Sequence, residues 1–207
     1  LAGHENQAHL YINGIYWGIY SPAEKVDSEF GEAYLGGDMA DYDVIKDYTE
    51  VADGTIDVWN AMFTLARTGL TDNAVYQQIQ GKNPDGSPNP YYPPYLDMEN
   101  LADYMLINMF AGNSDWDHHN WVALRNRVNP GKGFKFICWD SECILESVNS
   151  NVLAEKNTNC PSELFQLAVK NEDFKRLLAN RAQKHLMDGG ALTPSANLAR
   201  WAKLAKI

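Results

Sequence analysis

Asp115 and Asn120 stand five residues apart in the polar run Asn113-Ser-Asp-Trp-Asp-His-His-Asn120. Asp140 closes a later apolar run and is followed at once by Ser141 and Glu142. The side chains of Asp115, Asn120, Asp140 and Glu142 offer hard oxygen donors, the kind that hold Mg²⁺ or Mn²⁺. Asp140 and Glu142 lie two apart, so on an extended backbone they face one side, as a chelating pair must. A solvated strand end would carry the same two acids. Phosphoryl transfer suits such a set, because a phosphoryl group passing between oxygens needs positioned cations and an oriented nucleophile rather than covalent help. Asp115 also has a plainer reading, as the end of the preceding helix or the start of an Asx turn. His118 and His119 add a zinc reading, with Asp115, Asp117 and Asp140 as partners. Adjacent His on an extended chain point to opposite sides, and neither H-x-H nor H-E-x-x-H spacing occurs. A metal-dependent hydrolase therefore stands behind the first reading, with one His expected to bond a backbone carbonyl. Asp117 is expected either beside the metal or facing solvent.

A helix and a hairpin have to position this loop. Asp97 is the predicted cap of a helix running through Phe110, in which Leu101, Tyr104, Met105, Ile107 and Met109 leave little polar face. A helix apolar nearly all round is a buried one, and Gly112 ends it. After the loop, a strand is predicted from Trp121 to Asn126, a turn around Asn129-Pro-Gly-Lys132, and a second strand from Gly133 to Trp139 that delivers Asp140. Buried helix, D-x-x-x-x-N loop, hairpin, Asp is the order of the catalytic half of a protein kinase. There the loop Asp contacts the acceptor hydroxyl, and the Asn and the later Asp hold Mg²⁺.

The flanking sequence supplies both strands and helices. His9 to Tyr20 reads as a hairpin about Asn13-Gly14, a strong type I′ turn signal. Ser21-Pro22-Ala23-Glu24 has the form of a helix start, with Ser as N-cap, Pro at N1 and Glu at N3, for a helix reaching Leu35 and stopping at Gly36-Gly37. Tyr42 to Lys46 is a short strand. Helices follow at Ile56–Arg67 and Ala74–Ile79, and the Pro-rich stretch Asn83–Pro94 has to be a surface excursion. The remainder is helical: Ser162–Val169, Asn171–Met187, and a last helix opened by Thr193-Pro194.

Composition narrows the function classes. The 207 residues, 45% of them hydrophobic, can form a domain with a proper core rather than a disordered tail. Lys and Arg number 17 against 27 Asp and Glu, a net charge of −10. So acidic a chain lacks the attraction to phosphate that drives nucleic-acid or membrane-surface binding, and would hold a nucleotide through a metal. No apolar run approaches the ~20 residues of a membrane span. Cys138, Cys143 and Cys160 are too few and too scattered for a disulfide scaffold or a zinc knuckle.

Three motifs together resemble the CotH-type kinases, the family of spore coat protein H. They are Tyr11-Ile-Asn-Gly-Ile-Tyr-Trp-Gly-Ile-Tyr20 followed by Glu24, Gly112-Asn-Ser-Asp115 with Asn120, and Trp139-Asp140-Ser-Glu142. The likeness spans about Leu10 to Arg181. It implies an α+β, atypical protein-kinase-like fold in one domain over residues 1–207. An N-terminal hairpin and helix region (1–50) would precede a mainly helical lobe (51–207) carrying the catalytic-loop hairpin. It implies transfer of the ATP γ-phosphate to Ser/Thr of a protein substrate, with Mg²⁺ or Mn²⁺, in a secreted or surface-displayed protein. Asp115 then looks like the catalytic Asp, with Asn120, Asp140 and Glu142 as metal ligands. Lys46 is similar to the phosphate-pairing Lys, and Glu24 to its ion-pair partner, although a capping box or a solvated strand end would explain these two as well. The family's third motif commonly ends in Asp where Glu142 stands. Family members carry further strands before the hairpin, which are expected to be missing from this chain. The competing reading is a catalytically silent coat or surface protein that binds through its aromatics, Tyr91, Tyr92 and Tyr95 among them.

Overall fold

The computed structural model describes residues 1–205. Strands β1 (Ala8–Ile12) and β2 (Ile15–Tyr20) form the expected hairpin, with Asn13 at φ 51° and Gly14 at φ 80° in the left-handed turn that the Asn-Gly pair favours. Helix α1 (Ser28–Leu35) ends at Gly36 as expected but begins later than Ser21. Residues 21–24 instead run alongside the N-terminal segment: Glu24 N donates to His4 O at 2.8 Å and Asn6 N to Pro22 O at 3.2 Å. The cap is Asp27, whose carboxylate accepts from the backbone N–H groups of Glu29 and Phe30. Backbone pairing outcompetes the capping box because Glu24 is spoken for on both its main chain and its side chain.

A 3₁₀ turn at Met39–Asp41 leads into β3 (Tyr42–Lys46) and β4 (Glu50–Asp53), the latter absent from the sequence reading. Helices α2 (Asp57–Gly69) and α3 (Asn73–Gln78) precede the Pro-rich excursion, where Tyr91 is exposed while Tyr95 packs against the core. Helix α4 (Met98–Ala111) is capped by Asp97 and closed by Gly112 at φ 58°. Strands β5 (Trp121–Asn126) and β6 (Lys135–Cys138) form the hairpin, and α5 (Pro161–Ala168), α6 (Glu172–Leu186) and α7 (Pro194–Leu204) complete the chain.

The central sheet has the order β4-β3-β5-β6, all antiparallel. It crosses the division expected between residues 50 and 51, since β3 pairs with β4 on one edge and with β5 on the other. Strand β5 is buried on both faces, so its first four residues, Trp121 to Leu124, read as an unbroken apolar run. Trp121 and Ala123 face the main core, where Trp121 stacks on Trp59 of α2 with ring centres 5.3 Å apart. Val122 and Leu124 face a smaller core with Phe30 and Tyr42. Helix α4 is less enclosed than its composition suggests. Leu101, Tyr104 and Met105 are buried, but Leu106 and Ile107 are half-buried along a surface cleft and Phe110 is exposed. The helix packs against β6, α5 and α6.

Candidate functional site

The loop that follows α4 is fixed at both ends and in its middle. Asn113 is buried, donates to Asn108 Oδ1 at 3.0 Å, and accepts from Asp115 N at 3.3 Å. Trp116 drops into the core and donates through Nε1 to the Tyr104 hydroxyl at 2.7 Å. These anchors leave Asp115 half-exposed at the surface between them.

Both carboxylate oxygens of Asp115 are engaged. Asn120 Nδ2 lies 3.1 Å from Oδ2 and 2.9 Å from the Asp115 carbonyl, while His119 Nε2 lies 3.2 Å from Oδ1. Asn120 itself is buried and left-handed, with φ 62°. Asp140 reaches the same place from β6. The chain beyond it folds back on the loop: Ser114 N donates to Cys143 O at 3.0 Å and Leu145 N to Ala111 O at 2.7 Å. That return brings Glu142, Cys143 and Asp115 within 4.8 Å of one another through their ligating atoms. Asp140 and Glu142 therefore meet, though not as strand neighbours, since Asp140 leaves the strand at φ 47°.

The electrostatics of this corner are one-sided. Partial desolvation, then the hydrogen-bonded Glu142 carboxyl, then Asp115 and Asp47, push Asp140 above the ordinary Asp value. Among the described residues, no Lys or Arg pairs with Asp47, Asp115, Asp140 or Glu142. Asp115 and Glu142 bring carboxylate oxygens within 4.8 Å of each other, and Asp140 hydrogen-bonds Glu142, a set of oxygen donors that fits a hard divalent cation. Cys143 fits less well, because desolvation and Glu142 raise its thiol and favour the neutral form. Beside Asp140 and Glu142 opens a cleft of about 620 Å³, lined also by Ala2, Gly3, Glu5, Ser21 and Ala23.

The remaining sequence expectations fare differently. Glu24 and Lys46 do not pair. Glu24 accepts from the Tyr34 hydroxyl at 2.6 Å and contacts His4 Nδ1 at 2.6 Å, and these two contacts lower its pKa. Lys46 sits at the end of β3 with Nζ 3.6 Å from Glu50. Asp117 is neither beside these oxygen donors nor solvent-facing. It is fully buried and accepts from Ser162 N (2.6 Å), Ser162 Oγ (2.9 Å) and Asn157 Nδ2 (2.6 Å), which ties the loop to the start of α5. Nothing in the spacing D-W-D distinguished it from its neighbour.

His118 and His119 lie on one side after all, with ring centres 4.1 Å apart, and their ligating atoms cluster with Asp115. His119 stacks parallel to Tyr48, and its Nδ1 is buried without a partner. A metal-bound His normally hands its second ring N–H to an acceptor, so this environment suits a ring bonded through Nε2 to Asp115 better than a zinc ligand. No expectation named Asp47, yet its Oδ1 accepts from Asn120 N at 2.8 Å and Trp121 N at 3.4 Å. All three cysteines are free thiols.

The structure keeps the order helix, Asp-Asn loop, hairpin, Asp that is legible in the sequence. The family model described as CotH kinase protein matches residues 3–196, and the chain belongs to that family. Membership carries a kinase-like function in general, with ATP as the phosphoryl donor. No curated protein matches the chain. No described helix is long and apolar enough to cross a membrane.

Proposed function

We propose that this chain transfers the γ-phosphoryl group of ATP to Ser or Thr hydroxyls of a protein, with Mg²⁺ or Mn²⁺ bound. The observation that carries this reading is the Asp115 carboxylate, held on both oxygens by Asn120 and His119 and lying within 4.8 Å of the Glu142 carboxylate. Asp115 orients the acceptor hydroxyl and takes its proton. Two donors hold its carboxylate in one orientation, and that pre-organisation is what an oriented nucleophile requires. Asn120, Asp140 and Glu142 would hold the cation. Asn120 spends its amide N–H on Asp115 and keeps its carbonyl oxygen for the metal. When bound, the cation neutralises phosphate charge and relieves the crowding of acids around Asp140.

Lys46 is the cation offered to a phosphate. Its exposed contact with Glu50 is worth only ~0.2–1 kcal/mol and is readily exchanged. Glu24 serves the site indirectly, by tying His4 and Tyr34 together beside the lining of the cleft. Secreted or surface proteins are the substrates that accompany the family resemblance, and the net charge of −10 argues against nucleic acid. The test is transfer of labelled γ-phosphate to a Ser/Thr-containing acceptor protein with Mn²⁺ present. Asp115→Ala should cut the rate by at least about 100-fold while ATP still binds. Equal transfer by the variant overturns the assignment.

A further inference from the structure

We propose that Asp47 is a positioning residue of this site, holding Asn120 and, through it, the Asp115 carboxylate; the inference rests on the phosphotransfer reading. Asp47 is the first residue after β3, and its own N–H continues the ladder to Trp121 O at 3.3 Å. Its carboxylate then turns toward the catalytic loop. One oxygen accepts the backbone N–H of Asn120 at 2.8 Å and of Trp121 at 3.4 Å. Asn120 needs such a hold because its backbone is left-handed, at φ 62°, a conformation that costs free energy for a residue with a Cβ. With that backbone fixed, Nδ2 reaches both the carbonyl and the Oδ2 of Asp115.

The next residue reinforces the same loop. Tyr48 N donates to His118 O at 3.0 Å, and the Tyr48 ring stacks at 2° to the plane of His119, the donor to the other Asp115 oxygen. Two consecutive residues of the β3–β4 turn thus support both hydrogen bonds that orient Asp115. Asp47 acts as a hydrogen-bond acceptor at a defined point, so its geometry rather than its charge carries the role. A ligand to the cation would depend on its charge instead.

Two substitutions separate these possibilities. Asp47→Asn keeps an acceptor oxygen in place and removes the charge; Asp47→Glu keeps the charge and displaces the acceptor by one methylene. The proposal expects D47N to keep kcat within about fivefold of the parent. D47E should lower kcat by about 100-fold, the cost of an ångström-scale misplacement, with KM for Mn-ATP shifted by less than about threefold. The reverse order of the two variants makes Asp47 a charge-dependent ligand and overturns the proposal, as does equal activity, equal loss, or a change confined to KM. Amide hydrogen exchange at Asn120 and Trp121 reads the same contact without any activity. Protection should persist in D47N and fall by at least tenfold in D47E. If the parent protein transfers no phosphate yet shows this exchange pattern, the phosphotransfer reading fails and the hold of Asp47 on the loop stands.

Discussion

Asp117 and Asp140 flank the same hairpin, yet their carboxylates meet opposite surroundings. Burial raises the pKa of Asp117, and three donated hydrogen bonds from Asn157 and Ser162 pull it back. At Asp140 the neighbours add to the desolvation instead of opposing it: Glu142, Asp115 and Asp47 all disfavour its charge. The first arrangement is what a fold does with a buried acid it needs for cohesion. The second leaves like charges unopposed, which is the surrounding the proposed cation would relieve. Perturbed titration alone would have marked both acids, and the partners distinguish them.

The largest effect should come from Asp117→Ala. It leaves two donors of Ser162 and one of Asn157 facing a buried void, and should cost about 4 kcal/mol in urea melts. A loss under about 1 kcal/mol would mean that Asp117 is not the structural member of the pair. Next comes Met105→Ala, a cavity under the helix that leads into the loop of Asp115 and Asp117, with an expected cost of about 3 kcal/mol. Leu106→Ala should cost clearly less, since Leu106 lines the half-open side of α4. Equal losses at 105 and 106 would show the helix enclosed all round.

The smallest effect is electrostatic. Glu142→Gln should raise the metal-free Tm at pH 7 by about 1–2 °C, because it relieves the repulsion at Asp140. The sign follows from linkage. A carboxyl whose folded pKa is raised destabilises the fold above that pKa, and does nothing below its unfolded value near about 3.9, where both states are protonated. The gain should therefore fade as the pH falls through the raised pKa of Asp140. A gain that grows in acid would contradict the crowding.

The sequence disclosed the elements that local chemistry determines. Asp97 and Gly112 bracket α4, Asn13-Gly14 turns the first hairpin, and β5 appears at its full length, because caps, turn dipeptides and apolar runs act over a few residues. The loop Asp, the Asn five residues on and the strand-end Asp were legible for the same reason, and the structure gathers them. What spacing could not give was anything decided across the chain. Ser21 to Glu24 spell a capping box, yet His4 claims Glu24 on both main chain and side chain. Asp117 and Asp115 differ only in which wall they meet, and Asp47 reaches Asn120 only because β3 and β5 are neighbours. The histidines, too, turn to one side because the loop is not extended.

The central claim is that Asp140 belongs to a cation and nucleotide site while Asp117 belongs to the fold. Thermal melting with and without Mn²⁺ plus ATP, on the parent chain and on Asp140→Asn, tests it most directly. The account predicts a rise of several degrees for the parent at about 100-fold excess over Kd, by mass action on the folded state. It predicts no rise for D140N, whose metal-free Tm should lie within about 2 °C of the parent's. A rise of the same size in D140N would contradict it.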